Sequence, residues 1–282
     1  MVWKTRTVTL TFERPLIMGI LNLTPDSFFD GGRFLSPERA VEQACRLVQD
    51  GADILDLGAE STRPGAKPVS EEEELSRLLP VLDSLKSQIQ IPISIDTTKS
   101  AVARRALAGG AHIINDVSGL RQDPQLAEVV HEFGAGLVLM HRRGTPEMMQ
   151  LMTEYRDLMG EIRRELSESM EIAESHGILR DQIALDPGIG FSKTAEQNLE
   201  LLDRLGELKS LDRPILVGPS RKSFIGMVTK QAPDKRLFGT VAASVLAFER
   251  GASILRVHDV WAVKEAISVA EAILNSGKGI SL

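Results

Sequence analysis

A repeat of short apolar runs constrains the fold of this chain more than any other feature. Each run ends in glycine or polar residues and is followed by a stretch with helical periodicity. From Asn22 at the end of the first run to His258 just beyond the last, the runs recur about every 34 residues, close to the ~30 residues of a strand-plus-helix unit. The eight runs are Leu16–Leu21, Ile54–Leu57, Ile91–Ile95, Ile113–Ile114, Leu137–Met140, Ile183–Leu185, Ile215–Val217 and Ile254–Val257.

The stretches between the runs carry helix start and stop signals. Ser36 precedes a proline at the first helical position, and Ser70 precedes four consecutive glutamates, which suit a helix N-terminus. Three of the turns back to a strand read Gly-Ala, beginning at Gly51, Gly110 and Gly251. The predicted helices are Ser36–Asp50, Ser70–Ser87, Ser100–Gly109, Asp123–Phe133, Tyr155–His176, Thr194–Leu205, Lys235–Arg250 and Val260–Asn275.

Regular alternation of strands and helices predicts an α/β fold with a parallel sheet and right-handed crossovers. Eight units favour a closed (β/α)8 TIM barrel, and an open doubly wound sheet is the alternative. Since no Pro/Gly/Ser-rich linker interrupts the 282 residues, we expect a single domain over 1–282. The barrel should occupy about 16–275, preceded by a short N-terminal β-hairpin at about 2–12, where VTLTF alternates with period two.

Charge and composition exclude several classes of function. The chain has 33 Lys plus Arg against 39 Asp plus Glu, a net charge of -6, so we expect no nucleic-acid partner. No apolar run approaches the ~20 residues of a membrane span, and the N-terminus does not resemble a signal peptide, so we expect a cytoplasmic protein with no membrane partner. One cysteine excludes a disulfide framework and a Cys-rich zinc site.

Polar residues follow every one of the eight strands. In a (β/α)8 barrel the active site lies at the carboxyl ends of the strands, so these residues should meet at one mouth. They are Asn22, Glu60–Arg63, Asp96, Asn115 and Asp116, His141–Arg143, Asp186, Ser220–Lys222 and Arg256–Asp259.

Two kinds of chemistry are present at this predicted mouth. Asp96, Asn115 and Asp186 are short acceptors that suit a flat heterocycle with adjacent N–H donors. Cationic residues, among them Arg63, Arg221, Lys222, Arg256 and His258, suit phosphate or carboxylate. We therefore expect one side of the mouth to hold a neutral ring and the other to hold anions.

Seven stretches together resemble the dihydropteroate synthase family, the pterin-binding enzymes of folate biosynthesis that sulfonamides target. The resemblance spans about residues 16–275, and it agrees with the barrel because the family has that fold. The stretches are Met18–Phe28, Gly58–Gly65, Ser94–Thr97, Ile114–Gly119, Asp186–Phe191, Gly218–Ser223 and Arg256–Val260.

The resemblance implies a transferase reaction and a role for each matching residue. A dihydropterin carrying a methylene diphosphate would lose diphosphate, and the amine of 4-aminobenzoate would take its place. The implied pterin site comprises Asp96, Asn115, Asp186, Lys222 and Arg256. The implied diphosphate site comprises Asn22, Thr62, Arg63, Arg256 and His258, with Mg²⁺ as cofactor and Asn22 as its ligand. The implied aminobenzoate site comprises Phe28, Pro64, Phe191, Ser220, Arg221 and Ser223.

The chemistry of this reaction predicts which residues act in catalysis. Loss of diphosphate from an electron-rich ring favours a dissociative, cation-like path. Carboxylates such as Asp96 would stabilise the cation, while Arg63, His258 and Mg²⁺ would stabilise the leaving anion. Lys222 completes the predicted catalytic set because it would hold the ring.

Two loops and one short helix should complete the site. Ser220 can cap a helix from Arg221 to Val228 whose N–H groups attract the aminobenzoate carboxylate. Arg221 would face the aminobenzoate, while Lys222 turns inward to the pterin. Long loops around Gly31-Gly32 and Pro64-Gly65 are expected to act as mobile lids.

Two other readings stay open at this point, a pterin-dependent methyltransferase and a non-catalytic pterin-binding paralogue. Neither needs the complete set of Thr62, Arg63, Ser220, Arg221 and Lys222. The family resemblance also suggests a homodimer formed through the late helices Lys235–Arg250 and Val260–Asn275.

Overall fold

A computed structural model describes residues 1–24, 36–61 and 65–276. The chain begins with an antiparallel hairpin of β1 (Val2–Lys4) and β2 (Thr9–Thr11), in which Trp3 lies opposite Leu10. The predicted N-terminal hairpin is therefore confirmed.

Eight parallel strands of the described residues form a barrel. They are β3 (Leu16–Asn22), β4 (Ile54–Gly58), β5 (Ile93–Asp96), β6 (Ile113–Asp116), β7 (Gly136–Met140), β8 (Ile183–Asp186), β9 (Leu216–Val217) and β10 (Ile254–Val257). Neighbours run in the order β8-β7-β6-β5-β4-β3-β10-β9. A parallel bridge between Leu185 and Ile215 joins β8 to the β9 edge, so the sheet closes. This closure confirms the (β/α)8 barrel and excludes the open doubly wound sheet.

Helices cover the outside of the barrel. They are α1 (Pro37–Gln49), α2 (Glu71–Leu85), α3 (Ser100–Ala108), α4 (Gln125–Phe133), α5 (Leu158–Ser175), α6 (Ala195–Asp203), α7 (Ser223–Thr229), α8 (Leu237–Glu249) and α9 (Val260–Asn275). Apart from α7, their ends lie up to three residues inside the predicted ranges, largely because those ranges included capping residues. Ser36 and Ser70 cap α1 and α2 as predicted, since their hydroxyls accept from the N–H groups of Arg39 and Glu73. No described helix has the length and apolar character needed to cross a bilayer.

The three Gly-Ala turns share one backbone conformation. Gly51, Gly110 and Gly251 have φ of 98°, 106° and 107°, a region that a residue with a Cβ adopts only under strain. Glycine at these positions lets each helix turn directly back into its next strand.

The barrel interior has an apolar floor and a polar mouth. Trp3 of the hairpin packs against inward-facing residues of the strands, which are Leu16, Met18, Ile54, Ile113, Val138, Ala184, Leu216 and Ile254. Alternate residues of a strand point to the same face. The next inward positions, two residues further along, are therefore Ile20, Asp56, Asn115, Met140, Asp186, Gly218 and Arg256. Four of these seven positions, Asp56, Asn115, Asp186 and Arg256, carry polar or charged side chains above the apolar floor.

Trp3→Ala should destabilise the protein strongly, because the indole closes the amino end of the barrel. The ring is fully buried and its Nε1–H donates to the Gln182 carbonyl oxygen at 2.8 Å. We expect a loss of about 3–5 kcal/mol in the free energy of unfolding, measured by urea denaturation. Val2→Ala in the same strand is the control, since Val2 is exposed. An equal effect of both changes would contradict this account of the hairpin.

Candidate active site

A cavity of about 610 Å³ opens at the carboxyl ends of the barrel strands. The residues predicted to bind pterin, diphosphate or aminobenzoate that line it are Asn22, Asp96, Phe191, Ser220, Arg221, Lys222, Ser223, Arg256 and His258. Glu60 and Ser61, which were expected at the mouth, line it as well. Asn115 and Asp186 are buried at the ends of β6 and β8, in the same inward layer. The structure therefore brings these binding residues to one place, whereas Asp116 and His141–Arg143, which were also expected at the mouth, are not among the residues that line the cavity.

Arg256 joins two buried carboxylates at the base of the cavity. Its Nε donates to Asp56 Oδ2 at 2.6 Å, and its Nη2 donates to Asp96 Oδ2 at 2.7 Å. Asn115 Nδ2 also donates to Asp56 Oδ2, at 3.1 Å. These four side chains form one hydrogen-bonded group, which we call the carboxylate cluster.

Because two acids share one guanidinium, the carboxylate cluster has an excess of negative charge. Burial raises the pKa of Asp96 to about 7, the charge of Arg256 opposes this rise, and the charge of Asp56 adds to it. Burial lowers the pKa of Arg256, but the two carboxylates outweigh this and raise it overall. Arg256 therefore stays charged, while Asp96 titrates close to neutral pH.

Asp56 is a site residue that the sequence analysis missed. It lies in the middle of the apolar run of β4 and is fully buried, and its Oδ1 has no hydrogen-bond partner among the described residues. A charged residue two positions after an inward-facing isoleucine was the available signal, because the period of a strand places Asp56 inside the barrel.

Asp186 is held by the loop that follows β8. Its Oδ1 accepts from the Gly188 N–H at 2.7 Å. Burial raises the pKa of Asp186, and the Gly188 N–H and the charge of Lys222 oppose that rise. Lys222 Nζ lies 4.2 Å from the centroid of the Phe191 ring. Lys222 therefore turns toward Phe191 and the charge of Asp186, and Phe191 lies on the same wall of the cavity.

Arg221 points away from Lys222. Its Nε and Nη2 donate to the Asp259 carboxylate at 3.1 and 2.7 Å. The two adjacent cations thus separate by facing opposite ways, with Arg221 in a left-handed backbone conformation at φ 57°.

The prediction that Ser220 caps a helix from Arg221 to Val228 is wrong. Helix α7 begins at Ser223, and Lys222 occupies the N-cap without a side-chain hydrogen bond. The Ser220 hydroxyl lies 2.9 Å from His258 Nδ1 and also accepts from the His258 N–H at 3.2 Å. Ser220 is therefore committed to His258 and is not available to the helix.

His258 connects Ser220 to Asn22. His258 Nε2 lies 3.4 Å from Asn22 Nδ2. If Nδ1 donates to Ser220, Nε2 accepts from the Asn22 amide, and the Asn22 carbonyl oxygen is left for a cation. Asn22 and His258, two residues predicted for the diphosphate site, therefore lie in contact with each other.

Four predicted site residues lie outside the described residues, namely Phe28, Thr62, Arg63 and Pro64. Gly31-Gly32 of the first predicted lid and Pro64 of the second therefore also lie outside them. The described flank of the second loop is anchored by Glu60, whose carboxylate accepts from the Val69 N–H at 2.8 Å and from Lys99 Nζ at 2.7 Å.

Comparisons with known proteins identify the family of this chain. The family model described as pterin binding enzyme matches residues 18–258. A dihydropteroate synthase of Synechocystis is 51% identical over 93% of this chain and 91% of its own length. The crystal structure of the Yersinia pestis dihydropteroate synthase with a sulfonamide drug complex has a TM-score of 0.93 at 42% identity, covering 98% of this chain and 100% of that chain. The Xanthomonas albilineans dihydropteroate synthase in complex with 7,8-dihydropteroate has a TM-score of 0.84 at 39% identity, covering 97% and 96%. This chain belongs to the pterin-binding enzyme family, among its dihydropteroate synthases.

Proposed function

We propose that this chain condenses (7,8-dihydropterin-6-yl)methyl diphosphate with 4-aminobenzoate, giving 7,8-dihydropteroate and diphosphate. The observation that carries this proposal is one cavity with buried carboxylates at its base and cationic side chains around it. The family membership supports the same reaction, since relatives with this fold are dihydropteroate synthases.

The carboxylate cluster and Asp186 suit the pterin ring. Adjacent ring N–H donors of an aminopyrimidinone can be accepted by the carboxylates, which are already desolvated and need little reorganisation. The ring would lie near Lys222 and Arg256, with the methylene carbon directed toward His258 and Asn22. These roles rest on the positions of the side chains along the cavity.

The reaction breaks one C–O bond and forms one C–N bond at the methylene carbon. The C–O electron pair leaves with diphosphate, and positive charge spreads over the ring and methylene, where the carboxylate of Asp96 stabilises it. The aminobenzoate nitrogen then supplies its lone pair to the carbon and afterwards loses one proton. An aromatic amine is neutral at pH 7, so positioning matters more than activation by a base.

The wall formed by Phe191, Arg221 and Ser223 suits the aminobenzoate. Phe191 offers an aromatic face, and Ser223 lines the cavity at the first turn of α7. The correction to Ser220 changes this part of the proposal, because the carboxylate must be held without a serine-capped helix.

A direct assay tests the proposed function. Purified protein is incubated with the dihydropterin diphosphate, 4-aminobenzoate and Mg²⁺, and both released diphosphate and dihydropteroate are measured. Stoichiometric formation of the two products supports the proposal. Binding of the pterin without turnover would favour the non-catalytic paralogue, and methyl transfer from a pterin donor would favour the methyltransferase.

Mg²⁺ fits the residues at the diphosphate end as a cation shared with the substrate. No group of three His, Cys, Asp or Glu suitable for a metal occurs within the described ranges, but Mg²⁺ commonly keeps waters and substrate phosphates as ligands. The Asn22 carbonyl oxygen would supply one protein ligand. When bound, the ion would neutralise charge on the leaving diphosphate.

Asn22→Ala should weaken diphosphate binding about tenfold in the presence of Mg²⁺ and much less in its absence, because one oxygen ligand is removed. Isothermal titration with diphosphate, with and without Mg²⁺, measures the difference. Asn22→Asp is the matched variant, since it retains an oxygen ligand and should preserve Mg²⁺-dependent binding. Equal losses with and without Mg²⁺ would argue against a role of Asn22 toward the metal.

A homodimer through α8 and α9 is also proposed. Phe238 is 85% exposed, and Leu246 lies two turns further along the same face of α8. Trp261, Val269 and Ile273 are likewise exposed at helical spacing on α9, which packs against α8. Large apolar side chains exposed together are typical of an interaction surface.

Phe238→Glu combined with Ile273→Glu should convert a dimer into a monomer, because two charges would enter an apolar interface. Sedimentation equilibrium should give about twice the chain mass of 30.9 kDa for the unmodified protein and one chain mass for the variant. Leu179→Glu, at an exposed position outside α8 and α9, is the control and should remain dimeric. A monomeric unmodified protein at micromolar concentration would refute the proposal.

A further inference from the structure

Lys193 is a cation sealed inside the wall next to the cavity. It is 3% exposed, and its Nζ is surrounded by three acceptors. These are His141 Nδ1 at 3.0 Å, the Gly188 carbonyl oxygen at 3.2 Å and the Phe191 carbonyl oxygen at 3.1 Å. An ammonium has three N–H donors, so the site matches a protonated lysine donor for donor.

The protonation of His141 follows from its two partners. His141 Nε2 lies 3.1 Å from Glu165 Oε2, and burial together with the charge of Lys193 lowers the pKa of His141 to about 3. The imidazole is therefore neutral, with its proton on Nε2 toward Glu165 and its Nδ1 lone pair toward Lys193. The series of hydrogen bonds from Lys193 through His141 to Glu165 continues to Arg143, whose Nε donates to Glu165 Oε1 at 3.1 Å.

The carbonyl groups that Lys193 holds belong to the loop that shapes the pterin side of the cavity. The N–H of Gly188 donates to Asp186, and the ring of Phe191 lies against Lys222 Nζ. Gly190 between them has φ of 83°, and a Cβ there would come within 2.9 Å of Lys222 Cδ. The loop therefore touches both Asp186 and Lys222, while Lys193 touches the loop from behind.

We infer that Lys193 is a positioning residue, whose ammonium draws the Gly188 and Phe191 carbonyl groups together and so sets Asp186 and Lys222 for the pterin ring. This inference rests on the proposed function, because it assigns the pterin side of that same cavity. Lys193 itself does not line the cavity, so it acts through the loop.

The chemistry of the pocket favours this role over simple packing. Burial lowers the pKa of Lys193 to about 7, although the nearby charge of Asp186 opposes the shift. A site that needed only volume would be filled at lower cost by an apolar residue such as methionine. The arrangement of three acceptors has a use only if the ammonium holds them.

Lys193→Met keeps the length of the side chain and removes the three donors. We expect the Kd for (7,8-dihydropterin-6-yl)methyl diphosphate, titrated without aminobenzoate, to rise about 10- to 100-fold. The number of sites per chain should stay at one. Lys209→Met removes an exposed ammonium elsewhere and should leave the Kd unchanged.

A double-mutant cycle with Asp186→Asn distinguishes positioning from general destabilisation. If Lys193 acts through Asp186, adding Lys193→Met to Asp186→Asn should raise the Kd far less than it does in the unmodified protein. Independent, additive losses would overturn the inference. A lower melting temperature and fewer active sites with an unchanged Kd would assign Lys193 a structural role and would also overturn it.

Glu165→Met provides a second route if Lys193→Met does not fold. It removes the oxygen acceptor that orients His141 and should raise the same Kd about 3- to 10-fold; an unchanged Kd in a folded variant would overturn the inference. Failure of the unmodified protein to bind the pterin would instead refute the proposed function, so the two failures are distinguishable.

Discussion

Asp96→Asn should reduce kcat by about 10²–10³ and yet leave the protein at least as stable as before at neutral pH. The carboxylate stabilises the positive charge that develops as diphosphate leaves, and an amide cannot supply that negative charge. Removal of one preorganised electrostatic partner typically has this effect on rate.

The stability of this variant follows from the charge balance of the carboxylate cluster. Asp56 and Asp96 both hydrogen-bond to Arg256, so neutralising one acid leaves a one-to-one pair of Asp56 with Arg256. Burial raises the pKa of Asp96 from 3.8 to about 7. The stability associated with this raised pKa is complete below about pH 4 and is lost as the pH rises through about 7. Asparagine does not titrate, so the variant avoids that loss.

The comparison is therefore made at several pH values. We expect the melting temperature of the Asp96→Asn variant, relative to the unmodified protein, to increase between pH 4 and pH 8. Steady-state assays at saturating substrate give kcat. Asp50→Asn, at an exposed position outside the cavity, is the control for both measurements. Activity within a few-fold of the unmodified protein would remove Asp96 from the catalytic set.

Much of the fold could be predicted because the repeat of apolar runs fixes strands, helices and order together. The three Gly-Ala turns and the serine caps of α1 and α2 are local signals, and they lie where the sequence places them. Closure of the sheet through Leu185 and Ile215 is a long-range contact, and the number of repeats indicated it only indirectly.

The side chains that lie behind the cavity were harder to predict than those that line it. Asp56 lies inside the apolar run of a strand, and Lys193 contacts His141, which is 52 residues away along the chain. Local sequence favours Ser220 as a helix cap, but its partner His258 is 38 residues away. Local patterns therefore identified the cavity residues, whereas tertiary hydrogen bonds decided what holds them in place.

Arg256→Met should have the opposite effect on stability from Asp96→Asn. Methionine replaces much of the aliphatic volume, but Asp56 and Asp96 lose the guanidinium that both contact at 2.6 and 2.7 Å. Leaving buried charge without its partner typically costs about 3–5 kcal/mol in the free energy of unfolding. Pterin binding should also be lost, because the ring loses the side chain proposed to lie beside it.

The pH dependence of the Arg256→Met variant identifies the cause of its instability. Without Arg256, nothing in the carboxylate cluster opposes the raised pKa of Asp96. The deficit in the free energy of unfolding, relative to the unmodified protein, should therefore widen from pH 4 to pH 8 and shrink in acid. Urea denaturation at each pH measures this deficit.

Two further variants separate charge from packing. Arg221→Met, which removes a guanidinium from the single, partly exposed carboxylate of Asp259, should cost about 1 kcal/mol or less in the free energy of unfolding. Adding Asp96→Asn to Arg256→Met should recover part of the lost stability, since one uncompensated charge is removed. A deficit that is independent of pH and is not relieved by Asp96→Asn would assign the effect to packing, and the shared guanidinium would then not be what stabilises the two acids at the base of the cavity.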